Sequence, residues 1–370
     1  MNVLLAAGGT AGHINPAIAI ANTIREYDPT AQITFVGTKR GMENKLVTTA
    51  GYEIRHVEIR GLKRSLSLSN LKTAYYVLTA PAKAKKLIRE LRPDIVIGTG
   101  GYVCWPTLKA ASELGIPTAL HESNAIPGKA VKMLEKKVDR IYVNFSESAD
   151  GLSEKEKILH VGNPLISAPD VGTVSDLYER LGIPKTAKKV LLSFGGSLGA
   201  QRVNEEVLAL MEAYTSKDPE IFHIHATGKY DYENFLAAAK EKGLDRRENL
   251  RIEQYIYDMP LWELAADAVI CRAGAMTLSE MALLRRACIL IPSPNVVNNH
   301  QYENAKRLAD AGAAIMLEEK HMTPGTLEEA VRTLLCDKGK AEAMQYAIAA
   351  FANPDAKQDI LRDLLTLIKQ

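Results

Sequence analysis

Short continuous apolar runs recur along the chain, each separated from the next by enough residues for one amphipathic helix. Residues 3–7, 33–36, 94–97, 118–120 and 141–143 form one series, and residues 190–194, 222–226, 250–254, 268–271, 288–291 and 314–316 a second. Runs without polar alternation are the pattern of strands covered on both faces. Their alternation with helical stretches predicts an α/β protein with doubly wound parallel sheets, laid down twice. Gly162-Asn163-Pro164 closes the first series, which places a hinge near Asn163 and domains at 1–163 and 164–348. The segment 349–370 is helical in pattern, with a break at Asn353-Pro354, and is expected to pack back on the first domain.

A length of 370 residues supports two hydrophobic cores rather than one. The formal net charge of +2 gives no global reason to expect nucleic acid, so only local basic clusters change the picture, as membrane contacts. Cys104, Cys271, Cys288 and Cys336 lack the spacing of a disulfide framework or a zinc knuckle, which suits a reducing cytosol. Met1 to Ala7 carries no basic leader and reads as the first strand rather than a signal. No stretch reaches the roughly 18–20 apolar residues of a membrane-spanning helix.

Four glycine-rich turns follow apolar runs: Gly8-Gly9-Thr10-Ala11-Gly12-His13, Gly98-Thr99-Gly100-Gly101-Tyr102, Gly195-Gly196-Ser197-Leu198-Gly199 and Gly274-Ala275-Met276-Thr277. Such turns bring backbone amides to helix starts, where the positive end of the dipole favours phosphate. A dinucleotide fingerprint is not met, because the first turn has its glycines at 8, 9 and 12 and the second strand ends in Gly37-Thr38 with no carboxylate. Gly128-Lys129 and Gly228-Lys229 lack the upstream glycine of a P-loop. Asp-x-Asp is absent, and His223 and His225, on one face of a strand, have no third ligand nearby in sequence. Neither a metal nor another cofactor is therefore expected, and the histidine pair reads as core or rim.

The longer motifs are more specific. Gly8-Gly9-Thr10-Ala11-Gly12-His13-Ile14-Asn15-Pro16-Ala17, Gly98-Thr99-Gly100-Gly101-Tyr102-Val103, His121-Glu122-Ser123-Asn124, Gly195-Gly196-Ser197-Leu198-Gly199-Ala200 and Gly274-Ala275-Met276-Thr277-Leu278-Ser279-Glu280 occur in this order. Over essentially the whole chain they resemble the MurG family of bacterial glycosyltransferases, which have the GT-B fold of two Rossmann-like domains facing a cleft. The resemblance implies inverting transfer of N-acetylglucosamine from UDP-GlcNAc to the MurNAc C4 hydroxyl of undecaprenyl-pyrophosphoryl-MurNAc-pentapeptide, lipid I, to give lipid II for peptidoglycan. It also implies a peripheral position on the cytoplasmic face of the bacterial plasma membrane, contact with anionic lipids, and partners among other cell-wall synthesis and division proteins.

Inverting transfer needs a base for the acceptor hydroxyl and a hold on the departing diphosphate. His13 is a candidate base, since a helix N-terminus disfavours the imidazolium; a capping or structural histidine is the alternative. Glu122 is a second candidate base, against which stands a buried His121-Glu122 pair supporting its loop. Glu280 could simply complement its helix dipole. The resemblance gives it the ribose hydroxyls of UDP instead, with Ala275, Met276, Thr277, Leu278 and Ser279 offering amides to the diphosphate and Ser197 on the same surface. Ile256 matches a position whose main chain reads uracil, an isoleucine that could otherwise be mere packing. Gln301 and Asn304, three apart at a helix start, match readers of sugar hydroxyls, although amides there are often plain caps.

By the same resemblance Thr10, Ala11, Gly12 and Asn124 contact the donor, and Gly100, Gly101, Tyr102 and His121 lie on the acceptor side. One departure stands out: relatives carry an arginine within two residues after Gly162-Asn163-Pro164, where this chain has Leu165 and Ile166. Arg272 and Arg202 are candidates to replace its charge, each also readable as a surface or ion-pairing residue. Residues 61–68 lead into Leu71, Lys72, Tyr75, Tyr76 and Leu78, then Lys83, Lys85 and Lys86; Lys129, Lys132, Lys136 and Lys137 make a second basic face. Apolar tips ringed by cations suit an anionic bilayer, while burial of an apolar stripe with a solvated basic face is the plainer alternative.

Overall fold

The computed structural model describes residues 1–59, 69–166, 171–296 and 299–369, and of residues 69–74 and 77 the backbone alone. Two compact units result: Met1–Ile166 with Asn353–Gln370, and Ser167–Ala352. In the first, the strands are β1 (Asn2–Ala7), β2 (Gln32–Gly37), β3 (Glu53–His56), β4 (Ile95–Gly100), β5 (Thr118–Glu122), β6 (Arg140–Val143) and β7 (Ile158–His160). Helices α1 (Ala11–Tyr27), α2 (Glu43–Thr49), α3 (Ser69–Leu91), α4 (Cys104–Ser112) and α5 (Lys129–Leu134) lie between them in sequence. All neighbours pair in parallel, in the order β3-β2-β1-β4-β5-β6-β7.

The second unit repeats the plan. Its strands are β8 (Lys189–Phe194), β9 (Ile221–Ala226), β10 (Leu250–Glu253), β11 (Ala268–Cys271), β12 (Ala287–Leu290) and β13 (Ile315–Met316), ordered β10-β9-β8-β11-β12-β13. Its helices are α6 (Val174–Leu181), α7 (Gln201–Ala213), α8 (Tyr232–Glu241), α9 (Met259–Ala265), α10 (Ala275–Leu284), α11 (His300–Asp310), α12 (Thr326–Cys336) and α13 (Lys338–Ala349). Helix α14 (Ala356–Ile368) follows the Asn353-Pro354 break and belongs to the first unit.

Alternate residues of each central strand feed opposite cores, as the period of a strand requires. Val3, Leu5 and Ala7 join Ile14, Ile18 and Ile24 of α1 with Ile360, Leu364 and Leu367 of α14. Leu4 and Ala6 join Ala80, Ala84 and Ile88 of α3 with Leu108 of α4. In the second unit Val190, Leu192 and Phe194 pack with Trp262, Leu278 and Leu308, while Leu191 packs with Val203, Val207 and Val331. Asp363 of α14 accepts hydrogen bonds from Arg140 Nε and Tyr142 OH, each at 2.8 Å, and Asn353 Nδ2 donates to Val161 O at 2.6 Å.

Two details differ from the expectation. Strands β3 and β7 exist although no apolar run marks them, because each is short and partly exposed at a sheet edge. The second glycine turn begins later than its sequence suggests: Gly98, Thr99 and Gly100 are still strand. Gly98 is glycine because a Cβ there would stand 2.5 Å from Leu108 Cδ1. The basic stretch 61–68 lies outside the described residues.

Candidate active site

Strand order reverses between β1 and β4 in one sheet and between β8 and β11 in the other, the places where open α/β sheets bind ligands beyond their carboxyl edges. All four glycine turns sit at these switch points. In the first unit Gly9 takes φ +91°, Thr10 is extended with no side-chain cap, and α1 begins at Ala11. His13 Nδ1 lies 3.2 Å from Gly8 O and 3.4 Å from Thr10 Oγ1. A carbonyl only accepts, so the contact with Gly8 O favours the tautomer with hydrogen on Nδ1 and the lone pair on Nε2. The glycines of β4 make room for this ring: a Cβ on Gly100 would stand 2.3 Å from His13 Cδ2, and one on Gly101 2.2 Å from Gly8 O. Thr99 Oγ1 donates to His13 O at 2.7 Å. The structure thus brings Thr10, Ala11, Gly12, His13, Gly100 and Gly101 together, with Tyr102 exposed beside them.

In the second unit Gly195 to Gly199 lead from β8 into α7, with Gly196 and Gly199 at φ +94° and +90°. The turn interlocks with the one after β9, since a Cβ on Gly199 would lie 2.3 Å from Thr227 O. Beyond β11, Gly274 opens α10 in an extended conformation with no side-chain cap. The side chains of Ala275, Met276 and Leu278 are buried, so only their main chain can meet a ligand; the same holds for Ile256, a member of the core. Asn304 donates through Nδ2 to Ala273 O at 3.2 Å, just ahead of α10, and its buried Oδ1 has no hydrogen-bond partner among the described residues. Gln301 Oε1 accepts from Ser293 N at 2.9 Å, which fixes the amide and turns its Nε2 into the remaining donor group.

Glu280 lies on α10 near Glu263 of α9. Burial pushes the Glu280 carboxyl up to about 7, and burial together with the Glu280 charge pushes Glu263 well above the usual carboxylate range. Two such neighbours cannot both ionise at no cost, and hydroxyls donating to Glu280 would favour its charged form.

Two first-unit expectations are corrected. His121 is a core residue: its ring lies 3.1 Å from Gly162 O through Nε2, and burial pulls it down to about 4, so it is neutral and holds the chain after β7. Glu122 does not present a base. Its Oε1 accepts from Asn124 N at 2.9 Å and Asn124 Nδ2 at 3.0 Å, and its Oε2 from Gly128 N at 2.7 Å, so the carboxylate is spent on shaping its own loop. Neither arginine offered for the missing charge is idle: Arg272 pairs with Glu319 and donates to Ile291 O, and Arg202 pairs with Glu205 and Glu206. His223 and His225 are buried and meet at Ser193 Oγ, each 2.8 Å away, in a hydrogen-bonded core network.

Glu43 escapes a reading of the sequence. It is fully buried, and it binds Gly9 N and both donors of Thr38. An acid opening a helix is ordinarily an exposed dipole partner, and only the flanking Gly37 and Gly41 hint otherwise. Glu263 likewise carries no motif; its position opposite Glu280 is set by packing of α9 on α10.

Comparison with known proteins places these features in context. The glycosyltransferase family 28 N-terminal domain matches residues 3–143 and the glycosyltransferase family 28 C-terminal domain residues 190–360. The UDP-N-acetylglucosamine–N-acetylmuramyl-(pentapeptide) pyrophosphoryl-undecaprenol N-acetylglucosamine transferase of Acetivibrio thermocellus is 40% identical over 368 residues, covering 99% of this chain and 98% of that protein. A protein of the same name from Thermoanaerobacter pseudethanolicus is 40% identical over 362 residues, 98% of each. The crystal structure of MurG from Acinetobacter baumannii superposes with a TM-score of 0.72 at 28% identity, covering 99% of both chains. The Neisseria meningitidis UDP-GlcNAc 2-epimerase bound to UDP-GlcNAc, at 14% identity and a TM-score of 0.67 over 99% of this chain and 100% of that one, shares the fold.

Proposed function

The chain belongs to the MurG branch of glycosyltransferase family 28, and from that membership we propose that it transfers N-acetylglucosamine from UDP-GlcNAc to the MurNAc C4 hydroxyl of lipid I, making lipid II. Its second unit holds the donor. The uncapped start of α10, from Ala275 to Ser279, and the turn with Ser197 receive the diphosphate; Glu280 accepts from the ribose hydroxyls, the main chain of Ile256 meets the uracil, and Gln301 and Asn304 read the sugar. The first unit takes the acceptor, with Gly100, Gly101 and Tyr102 around His13.

In the reaction the C4 oxygen forms a bond to the anomeric carbon from the face opposite UDP, and the bond from that carbon to the phosphate oxygen breaks with its electron pair. The hydroxyl proton passes to His13 Nε2 and then to water. Charge growing on the leaving diphosphate is met by the positive end of α10. The observation that carries this reading is the buried carbonyl oxygen of Asn304, together with Glu280, beside an uncapped helix start, a set of polar groups arranged for a nucleotide sugar. Incubation with labelled UDP-GlcNAc and a soluble lipid I analogue should give the lipid-linked disaccharide. Epimerisation of the donor alone, with no transfer, would overturn the assignment.

The same reading places the protein peripherally on the cytoplasmic face of the membrane. No helix among the described residues is long and apolar enough to cross a bilayer. Tyr75 and Leu78 of α3 are 60% and 80% exposed, with Lys83 and Lys86 exposed one and two turns on. Helix α4 packs against both α3 and α5, and α5 and the turn after it present Lys129, Lys132, Lys136 and Lys137 around exposed Met133. Anionic headgroups are the complement of such a surface.

A further inference from the structure

Glu43 is a carboxyl with no exposed surface, whose hydrogen bonds among the described residues all come from uncharged donors. Removing a carboxylate from water in this way is costly, so its retention calls for a reason. Its pocket admits nothing else. Oε1 accepts from Thr38 N and Thr38 Oγ1, both at 2.8 Å, and Oε2 from Gly9 N at 3.2 Å. Every neighbour is a donor, so a glutamine would set its own NH2 against one of them. Gly37 and Gly41 are bare for its sake: Cβ atoms there would stand 2.6 Å from Glu43 Cγ and 1.9 Å from Oε2.

The N–H that Glu43 receives and the carbonyl that faces His13 Nδ1 are two ends of one peptide group, Gly8–Gly9. In a trans peptide these ends point in opposite directions, and an anion at the N–H draws charge toward the carbonyl oxygen. We propose that Glu43 is a positioning residue, a remote carboxylate that acts through the Gly8–Gly9 peptide to hold His13 with hydrogen on Nδ1 and its lone pair on Nε2. This rests on His13 as the base of the transferase read above. The arrangement is an acid–imidazole pair with a peptide inserted between the partners, and it stabilises the imidazolium that forms once Nε2 has taken the hydroxyl proton. Among the titratable groups nearby, Lys39 and Arg40 stand on the turn with Thr38, His56 bonds to Asn44, and Cys104, under Gly100, is a neutral thiol pushed up to about 12 by burial.

The test is kinetic and spectroscopic on the full chain. Glu43→Gln should lower kcat about 10- to 100-fold, the range seen when an outer carboxylate is lost, while leaving KM for UDP-GlcNAc unchanged. Its acid limb in the kcat–pH profile should move to lower pH, because the imidazolium has lost its distant anion. Glu43→Asp, which keeps the charge, should return the limb toward its original position. A limb that stays in place in Glu43→Gln, or equal losses in kcat and in donor affinity, would overturn the proposal. Nitrogen NMR of the His13 ring in the unaltered protein needs no variant: hydrogen on Nδ1 supports the relay and hydrogen on Nε2 refutes it. If the unaltered protein makes no disaccharide, the functional reading fails, and the ring tautomer still decides the Glu43 geometry.

Discussion

Burial holds the Glu280 carboxyl partly protonated near neutral pH and pushes its neighbour Glu263 well above the usual carboxylate range, which ties donor binding to acidity. Ribose hydroxyls donate to a carboxylate, so a donor arriving below pH 7 must first displace a proton, and KM for UDP-GlcNAc should climb as pH falls. Glu280→Gln, which has no proton to lose, should flatten that climb. The sign for stability is the reverse of the usual carboxylate. Folded values raised above the unfolded ones favour the native state below about pH 4.5, and that advantage is lost as pH rises from there, through about 7 for Glu280. Calorimetry should therefore find Glu263→Gln more stable than the parent at pH 8, with the gain shrinking toward pH 5; a gain independent of pH would contradict a charge origin. At this scale the sequence is legible where a residue sits in a glycine turn, as His13 does. It is silent where burial alone changes a residue's meaning, as for Glu43, and it misleads at Glu122, whose loop consumes the lone pairs a base would need.

The strands were readable because a sheet sheathed on both faces leaves no polar alternation, and every central strand appears as an apolar run. The edge strands β3 and β7 were not, since strands with exposed residues such as Glu53 and His160 carry no such signature. Helix α3 shows the limit on the helical side. A stripe packed on the sheet and an apolar outer tip give one mixed pattern, and only the exposure of Tyr75 and Leu78 separates them. If that tip meets lipid, Lys83→Glu with Lys86→Glu should abolish sedimentation with vesicles containing anionic lipid while sparing turnover of a soluble acceptor. Retention on those vesicles at low salt would count against α3 as the contact.

Residues 353–370 belong to the first unit although residues 167–352 come between. Truncation after Ala352 should expose Ile14, Ile18 and Val3 and cost the first unit several kcal/mol, the scale of losing several buried aliphatic side chains. Hydrogen exchange should then speed up in β1 and α1 and stay slow in β8 and β11; uniform acceleration would mean that the units do not melt separately. This embedding also sets an order of events at the ribosome. Synthesis delivers the whole intervening body before the closing helix of the earlier one, so the second-encoded half is complete first. Until Ile360 and Leu364 emerge, a nascent chain carries an unsheathed sheet, and the stretch of translation from Asn353 onward is where a chaperone would find its grip.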